Sequence, residues 1–174
     1  MKSNTISALA YSGIVTLSQN IGGKKVCLQK IHNAGSNKLF SFLADCIAGD
    51  FELAKLDRPT KIMLLNVQKN VGTESEGDII NRASSFIYLL SKPERVYSAS
   101  SGVVSETVRL SFVIPRALLE GATFNRIGLY SDSATELDYE SPAAYCEISA
   151  TESVSSMSSS SVLLIDWDLT ISNK

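Results

Sequence analysis

Two aspartates stand two residues apart at the end of an apolar run, a pairing of carboxylates that could do chemistry. The stretch Val162-Leu163-Leu164-Ile165-Asp166-Trp167-Asp168-Leu169-Thr170-Ile171-Ser172 closes in Asp-x-Asp-x-Thr. A carboxylate can act as a nucleophile or as a general acid or base, so such a pair is a candidate for catalysis. Side-chain alternation gives the same residues a second meaning. On a strand, Leu163, Ile165, Trp167, Leu169 and Ile171 fall on one face, and Leu164, Asp166, Asp168, Thr170 and Ser172 on the other. Antiparallel sheets commonly cover one face and wet the other, so two acids two apart are also what a solvated face displays.

The Asp166-x-Asp168-x-Thr170 run resembles the nucleophile strand of the haloacid-dehalogenase-type phosphatases. That resemblance implies a Rossmann-like domain beginning near this strand, with further catalytic groups on strands downstream. Only Asn173 and Lys174 follow here. The expectation is therefore a strand without catalytic partners, whose acids face water.

Other chemistry has less to build on. His32 is the single histidine, and proton transfer would require an oriented partner that no local spacing supplies. Serines are abundant, but no Gly-x-Ser-x-Gly elbow accompanies them. Cys27, Cys46 and Cys146 are odd in number and far apart, with no Cys-x-x-Cys, so free and largely buried thiols are expected rather than zinc or disulfides. Glu74, Glu76 and Asp78 alternate in a way that could offer calcium ligands, yet they lack the fuller ligand pattern of a dedicated site. Trp167 could stack on a sugar, but its place on the apolar face of the last strand favours a core anchor. No catalytic, cofactor-binding or metal-ligating residue is assigned, and no cofactor is expected.

Composition is that of a globular chain. With 174 residues, 44% hydrophobic and 20% charged, it fits one domain able to bury roughly 70% of its unfolded surface. A net charge of -2 with singly scattered basic residues argues against nucleic acid, because phosphate neutralisation needs a dense Lys/Arg surface. No apolar run approaches the ~20 residues of a membrane span. The start, Met1-Lys2-Ser3-Asn4-Thr5, is polar and does not resemble a signal peptide; Met1–Asn4 is expected to be a short arm.

The elements that would position these residues are mostly strands. Thr5–Ala10 and Gly13–Ser18 read as two pieces separated by Tyr11-Ser12-Gly13, followed by a turn at Asn20-Ile21-Gly22-Gly23 and a strand over Lys24–Ile31. One helix is predicted over about 36–48. Ser36 is its N-cap and Gly49 its stop, and Leu39, Phe40, Leu43, Cys46 and Ile47 form one buried stripe. A further helical turn over Phe51–Asp57 precedes a central strand, Lys61–Val67, and a long loop, Gln68–Arg82. Ser84–Leu90 and Arg95–Ala99 read as strands divided by Lys92-Pro93. Glu106–Ile114 is a cleaner one, with Val108, Leu110, Phe112 and Ile114 inward and Pro115 as its end.

Arg116–Gly121 is a short connection, Thr123–Tyr130 a strand containing Gly128, which should mark a bulge or a close backbone approach. Asp132–Asp138 is a loop, Ala143–Ser149 a strand, and Ser153–Ser161 a serine-rich link to the final strand. Many short strands with one helix predict a mainly β fold: an antiparallel two-sheet sandwich, jelly-roll-like or Greek-key, as a single domain over 1–174.

Three segments in order resemble virion structural proteins of tailed bacteriophages. Phe124-Asn125-Arg126-Ile127-Gly128-Leu129-Tyr130-Ser131 is similar to a Phe-Asn-x-Ile-Gly-Leu-Tyr stretch of phage tail and fibre-attachment β domains. Pro142–Ile148 resembles the strand that follows it there, and Leu163–Ile171 the terminal Trp-containing strand. The upstream Ile31-His32-Asn33-Ala34-Gly35-Ser36 and the helix behind it resemble short phage structural proteins. The resemblance implies a structural component of the virion, made in the host cytoplasm, without catalytic residues. It would act through protein-protein contacts as capsid decoration, fibre attachment or a neck or tail accessory. Its partners would be other virion proteins and copies of itself in a homo-oligomer or symmetric assembly, with no nucleic acid and no membrane. The alternative is a carbohydrate- or ligand-binding sandwich on a host-contacting appendage.

Overall fold

The structure is a computed structural model and describes residues 9–50, 52, 58–65, 68–69, 87–89, 92–100, 103–115, 122–135, 140–147 and 162–173. In chain order the elements are β1 (Leu9–Ile21), β2 (Lys24–His32), β3 (Ala34–Gly35), α1 (Asn37–Ala48), β4 (Pro59–Leu65), β5 (Gln68–Lys69) and β6 (Ile87–Leu89). They continue with β7 (Lys92–Ser100), β8 (Val103–Pro115), β9 (Ala122–Thr123), β10 (Arg126–Ser131), β11 (Ala144–Glu147) and β12 (Val162–Asn173).

One five-stranded sheet runs β2-β1-β12-β8-β7 and a second runs β3-β11-β10-β4-β6, while β5 and β9 form a separate pair. All of these pairs are antiparallel. The mainly β, two-sheet antiparallel sandwich expected from the sequence is the fold observed.

The core lies between the two large sheets. From the first come Val15 and Leu17 of β1, Leu110, Phe112 and Ile114 of β8, and Leu163, Ile165 and Trp167 of β12; Ile62, Leu64, Ile127, Leu129, Ala144 and Cys146 come from the second. Of the predicted inward sets, Leu110, Phe112 and Ile114 of β8 and Leu163, Ile165 and Trp167 of β12 are buried, Val108 and Leu169 are partly buried, and Ile171 is exposed. Each fully buried Leu, Ile or Phe contributes about 1.5–3 kcal/mol. The strand β4 is apolar on both faces, as expected of a central strand, because Met63 and Leu65 join Tyr130 and Ala134 in a second buried cluster on its other side.

Several boundaries differ from the expectation, for local reasons. Tyr11-Ser12-Gly13 does not divide β1, which is continuous. A Cβ on Gly13 would lie 1.6 Å from the Asn33 Oδ1, so this glycine marks a close side-chain approach rather than a turn. The turn proper is Gly22-Gly23, with φ of 56° and 79°, the doubly left-handed two-residue loop that suits the twist of a hairpin. Lys92 and Pro93 belong to β7 and do not separate two strands. β7 lies at the edge of its sheet, where a residue lacking an N–H costs least. The expected strand Thr123–Tyr130 is split at Phe124-Asn125, where the chain passes from the small β5–β9 pair to the second sheet and Phe124 turns into the core.

The helix bounds agree with the caps. The Ser36 hydroxyl accepts from the Lys38 N–H, and Gly49 adopts φ 79° at the other end. Its apolar stripe, however, is not a buried one: Leu39 is buried and Leu43 half-buried, but Phe40 is 51% exposed, Cys46 is exposed and Ile47 is 81% exposed. The sheet contacts only one side of the helix. The thiols also correct the expectation, since Cys27 and Cys46 are exposed and only Cys146 is buried; all three are free. Burial pushes the Cys146 thiol up to about 12.

The arm Met1–Asn4, the acidic residues Glu74, Glu76 and Asp78, the connection Arg116–Gly121 and the serine-rich link Ser153–Ser161 lie outside the described residues. Of the helical turn expected over Phe51–Asp57, Glu52 alone is described, and it is helical.

Candidate functional site

The acids of the last strand lie in the middle of the first sheet, flanked by β1 and β8, both antiparallel to β12. That is not the parallel surrounding that a phosphatase nucleophile strand implies. Directly opposite Asp166, Asp168 and Thr170 on β8 stand Ser111, Arg109 and Thr107. Cross-strand partners on one face of a sheet are near enough to pair, and each of these does.

The Ser111 hydroxyl donates to Asp166 Oδ1 at 2.8 Å, and the Lys25 ammonium reaches Oδ2 from β2. Arg109 grips Asp168 with two parallel bonds, Nε to Oδ1 at 2.7 Å and Nη2 to Oδ2 at 2.8 Å. The Thr107 and Thr170 hydroxyls are 2.8 Å apart. All four carboxylate oxygens therefore hold a donor supplied by the sheet itself. Asp166 is less wet than a solvated face suggests, at 7% exposure. Burial raises its carboxyl, but hydrogen bonds from Lys25 and Ser111, with the charges of Lys25 and Arg109, outweigh burial and hold it below the ordinary range. The bond to Asp168 raises the Arg109 guanidinium further above its already high value.

On the opposite face of the same strands the side chains stop meeting the second sheet before the strands end. Val108 and Leu110 of β8, with Leu169 and Ile171 of β12, form one wall of a cavity of about 510 Å³. Leu39, Phe42 and Leu43 of α1 form the facing wall, and Tyr11, Arg58, Pro59 and Glu106 complete it. Helix and sheet approach here because Gly35 leaves room: a Cβ there would lie 3.0 Å from the Tyr11 ring and 3.3 Å from Leu39. Tyr11 packs edge-on against Phe40, with centroids 6.0 Å apart and planes at 78°.

The polar groups around this cavity are fixed by neighbours. Asn33 Nδ2 donates to the Tyr11 hydroxyl at 2.9 Å. Both oxygens of Glu106 accept from Arg95 Nη2, at 2.7 and 2.8 Å. Arg58 is held through its backbone, since its carbonyl accepts from the Asp132 N–H at 2.9 Å, and Asp132 is itself fixed by the Thr60 hydroxyl at 2.8 Å. Among the described residues no ion pair engages the Arg58 guanidinium.

A second polar cluster lies beside the N-terminus of α1. The Arg126 guanidinium stacks 4.2 Å over Tyr145 and forms an ion pair with Glu147 at 3.1 Å. Ser36, Lys38, Glu140 and Pro142 complete this shallow depression.

The remaining residues singled out by the sequence are dispersed. His32 is exposed on β2. Trp167 is fully buried, as a core anchor should be, and is not available to stack on a sugar. At Gly128 the expected bulge or close backbone approach is replaced by a close side-chain approach: a Cβ would fall 2.5 Å from the Tyr130 ring, and the register shift of β10 against β4 lies at Tyr130/Ser131 instead. No group of three His, Cys, Asp or Glu side chains suited to a metal occurs among the described residues. No described helix is long and apolar enough to cross a membrane. Sequence reading singled out Asp166, Asp168 and Thr170 as one face of the last strand, but found neither their cross-strand partners nor the cavity, whose lining residues are scattered from Tyr11 to Ile171. Compared with family models, with curated proteins and with solved structures, the chain matches none.

Proposed function

We propose that this protein is a non-catalytic structural component of a tailed-phage virion, acting through protein-protein contacts with copies of itself and with other virion proteins. The observation that carries this reading is the state of Asp166 and Asp168. In the one constellation with catalytic spacing, every carboxylate oxygen is engaged in cross-strand bonds, so the acids serve the sheet rather than a substrate. The segments that resemble phage β domains fall on β10, β11 and β12, which belong to the frame of the sandwich. Contact surface is supplied by exposed apolar side chains, with Phe40 at 51% and Ile47 at 81% on α1 and Val113 at 47% on β8. The strands β2 and β7 leave one edge each of the first sheet without a partner among the described strands, and such edges lend themselves to association.

The test is the mass of the purified protein in solution, together with labelling of phage particles by an antibody against it. Oligomers and labelled particles are expected. A strict monomer that is absent from purified particles overturns the proposal, as does magnesium-dependent phosphate-ester hydrolysis abolished by Asp166→Asn.

A further inference from the structure

We infer that the cavity between α1 and the first sheet binds a single-chain amphiphilic carboxylate, its apolar tail lying against Leu39, Phe42, Leu43, Val108, Leu169 and Ile171 and its head group paired with Arg58. Three observations lead there. The volume of about 510 Å³ falls within the range of sites for small molecules, and the walls are mostly apolar. Water gains little in such a space, because an ordered water requires two or more polar partners. An apolar chain gains dispersion contacts on both the helix and the sheet side.

The charges at the lining select the head group. Glu106 is neutralised through both oxygens by Arg95. Arg58 is the lining cation without an ion pair among the described residues, and its backbone is anchored by Asp132, so a guanidinium fork is presented on a fixed support. Guanidinium matches carboxylate geometry through two parallel bonds. The inference is independent of the virion reading, since a ligand can be held by a structural protein or by a free one.

The test is calorimetric titration of the full chain with dodecanoate below its micelle concentration, alongside dodecyltrimethylammonium and dodecanol. Dodecanoate is expected to bind at one site per chain, roughly tenfold or more tighter than the cationic and neutral counterparts. Arg58→Gln, on an exposed residue, should remove that preference and leave dodecanol binding unchanged. Leu43→Trp, which fills the space from the half-buried side of α1, should abolish binding of both, with an unchanged melting curve showing that the fold is intact. The inference is overturned if dodecanoate does not bind saturably. It is equally overturned if the cationic chain binds as well, or if binding survives both substitutions.

Discussion

The two ends of β8 and β12 carry the same alternation and meet different fates. At one end Phe112, Ile114, Leu163 and Ile165 are at most 1% exposed; at the other Leu169 is half-buried and Ile171 is 36% exposed. Strand length explains the contrast. β1, β8 and β12 have 13, 13 and 12 residues, whereas β4, β10 and β11 have 7, 6 and 4. At about 3.3 Å per residue the first sheet extends roughly 40 Å and the second little more than half of that. The shorter sheet closes one end, and a helix covers the other without filling it. Alternation thus specifies which face turns inward, while the length of the opposing element decides how well that face is packed.

The strongest challenge to this comparison comes from truncating each end in turn. Phe112→Ala should cost about 3–5 kcal/mol in denaturant unfolding, whereas Leu169→Ala, whose side chain already borders a cavity, should cost about 1 kcal/mol. Equal losses would mean that the two ends are packed alike. Next in size is Gly128→Val, which pushes the Tyr130 ring off the second sheet and should cost about 1–3 kcal/mol. In a Tyr130→Ala background the same change should cost less, because the clashing ring is gone.

Replacing Asp166 by Ala strips Lys25 and Ser111 of their shared acceptor and should destabilise by about 1–2 kcal/mol at neutral pH. Its pH profile sharpens the point. The folded carboxyl titrates below the unfolded one, so its contribution is fully present above the unfolded value of about 3.9 and is lost as pH falls toward the folded value. The stability gap between wild type and Asp166→Ala should therefore be constant near neutrality and narrow below about pH 4. The smallest effect is expected from Arg95→Ala, whose pair with Glu106 has side chains 73% and 51% exposed. A loss below about 0.5 kcal/mol, shrinking further in salt, would fit a surface pair.

What the sequence disclosed follows the range over which each signal acts. The inward faces of β8 and β12 and both caps of α1 were legible, because period, Ser36 and Gly49 operate within a few residues. Gly13 and Pro93 were misread for the converse reason: their meaning depends on Asn33 across the hairpin and on the edge position of β7. The stripe on α1 was correct as a pattern and wrong as burial, since spacing cannot tell whether a second layer reaches the helix. Of the site, Asp166, Asp168 and Thr170 were visible, but their partners Lys25, Arg109 and Thr107 were not, because pairing depends on register. The cavity left no trace in any local window; Tyr11, Leu39, Arg58, Val108 and Leu169 meet only after both layers are assembled.

The placement of β12 between β1 and β8 has a kinetic side. The hairpins β1–β2 and β7–β8 can each form from near neighbours, yet they are joined only through a strand that comes later in the chain than all four, with Leu9 facing Asn173. Until that strand is synthesised and inserted, each hairpin keeps a bare inner edge, and the larger sheet cannot zip shut before the chain has emerged through β12. Such long-range closure slows folding, and newly made chains remain for that interval open to pairing with one another.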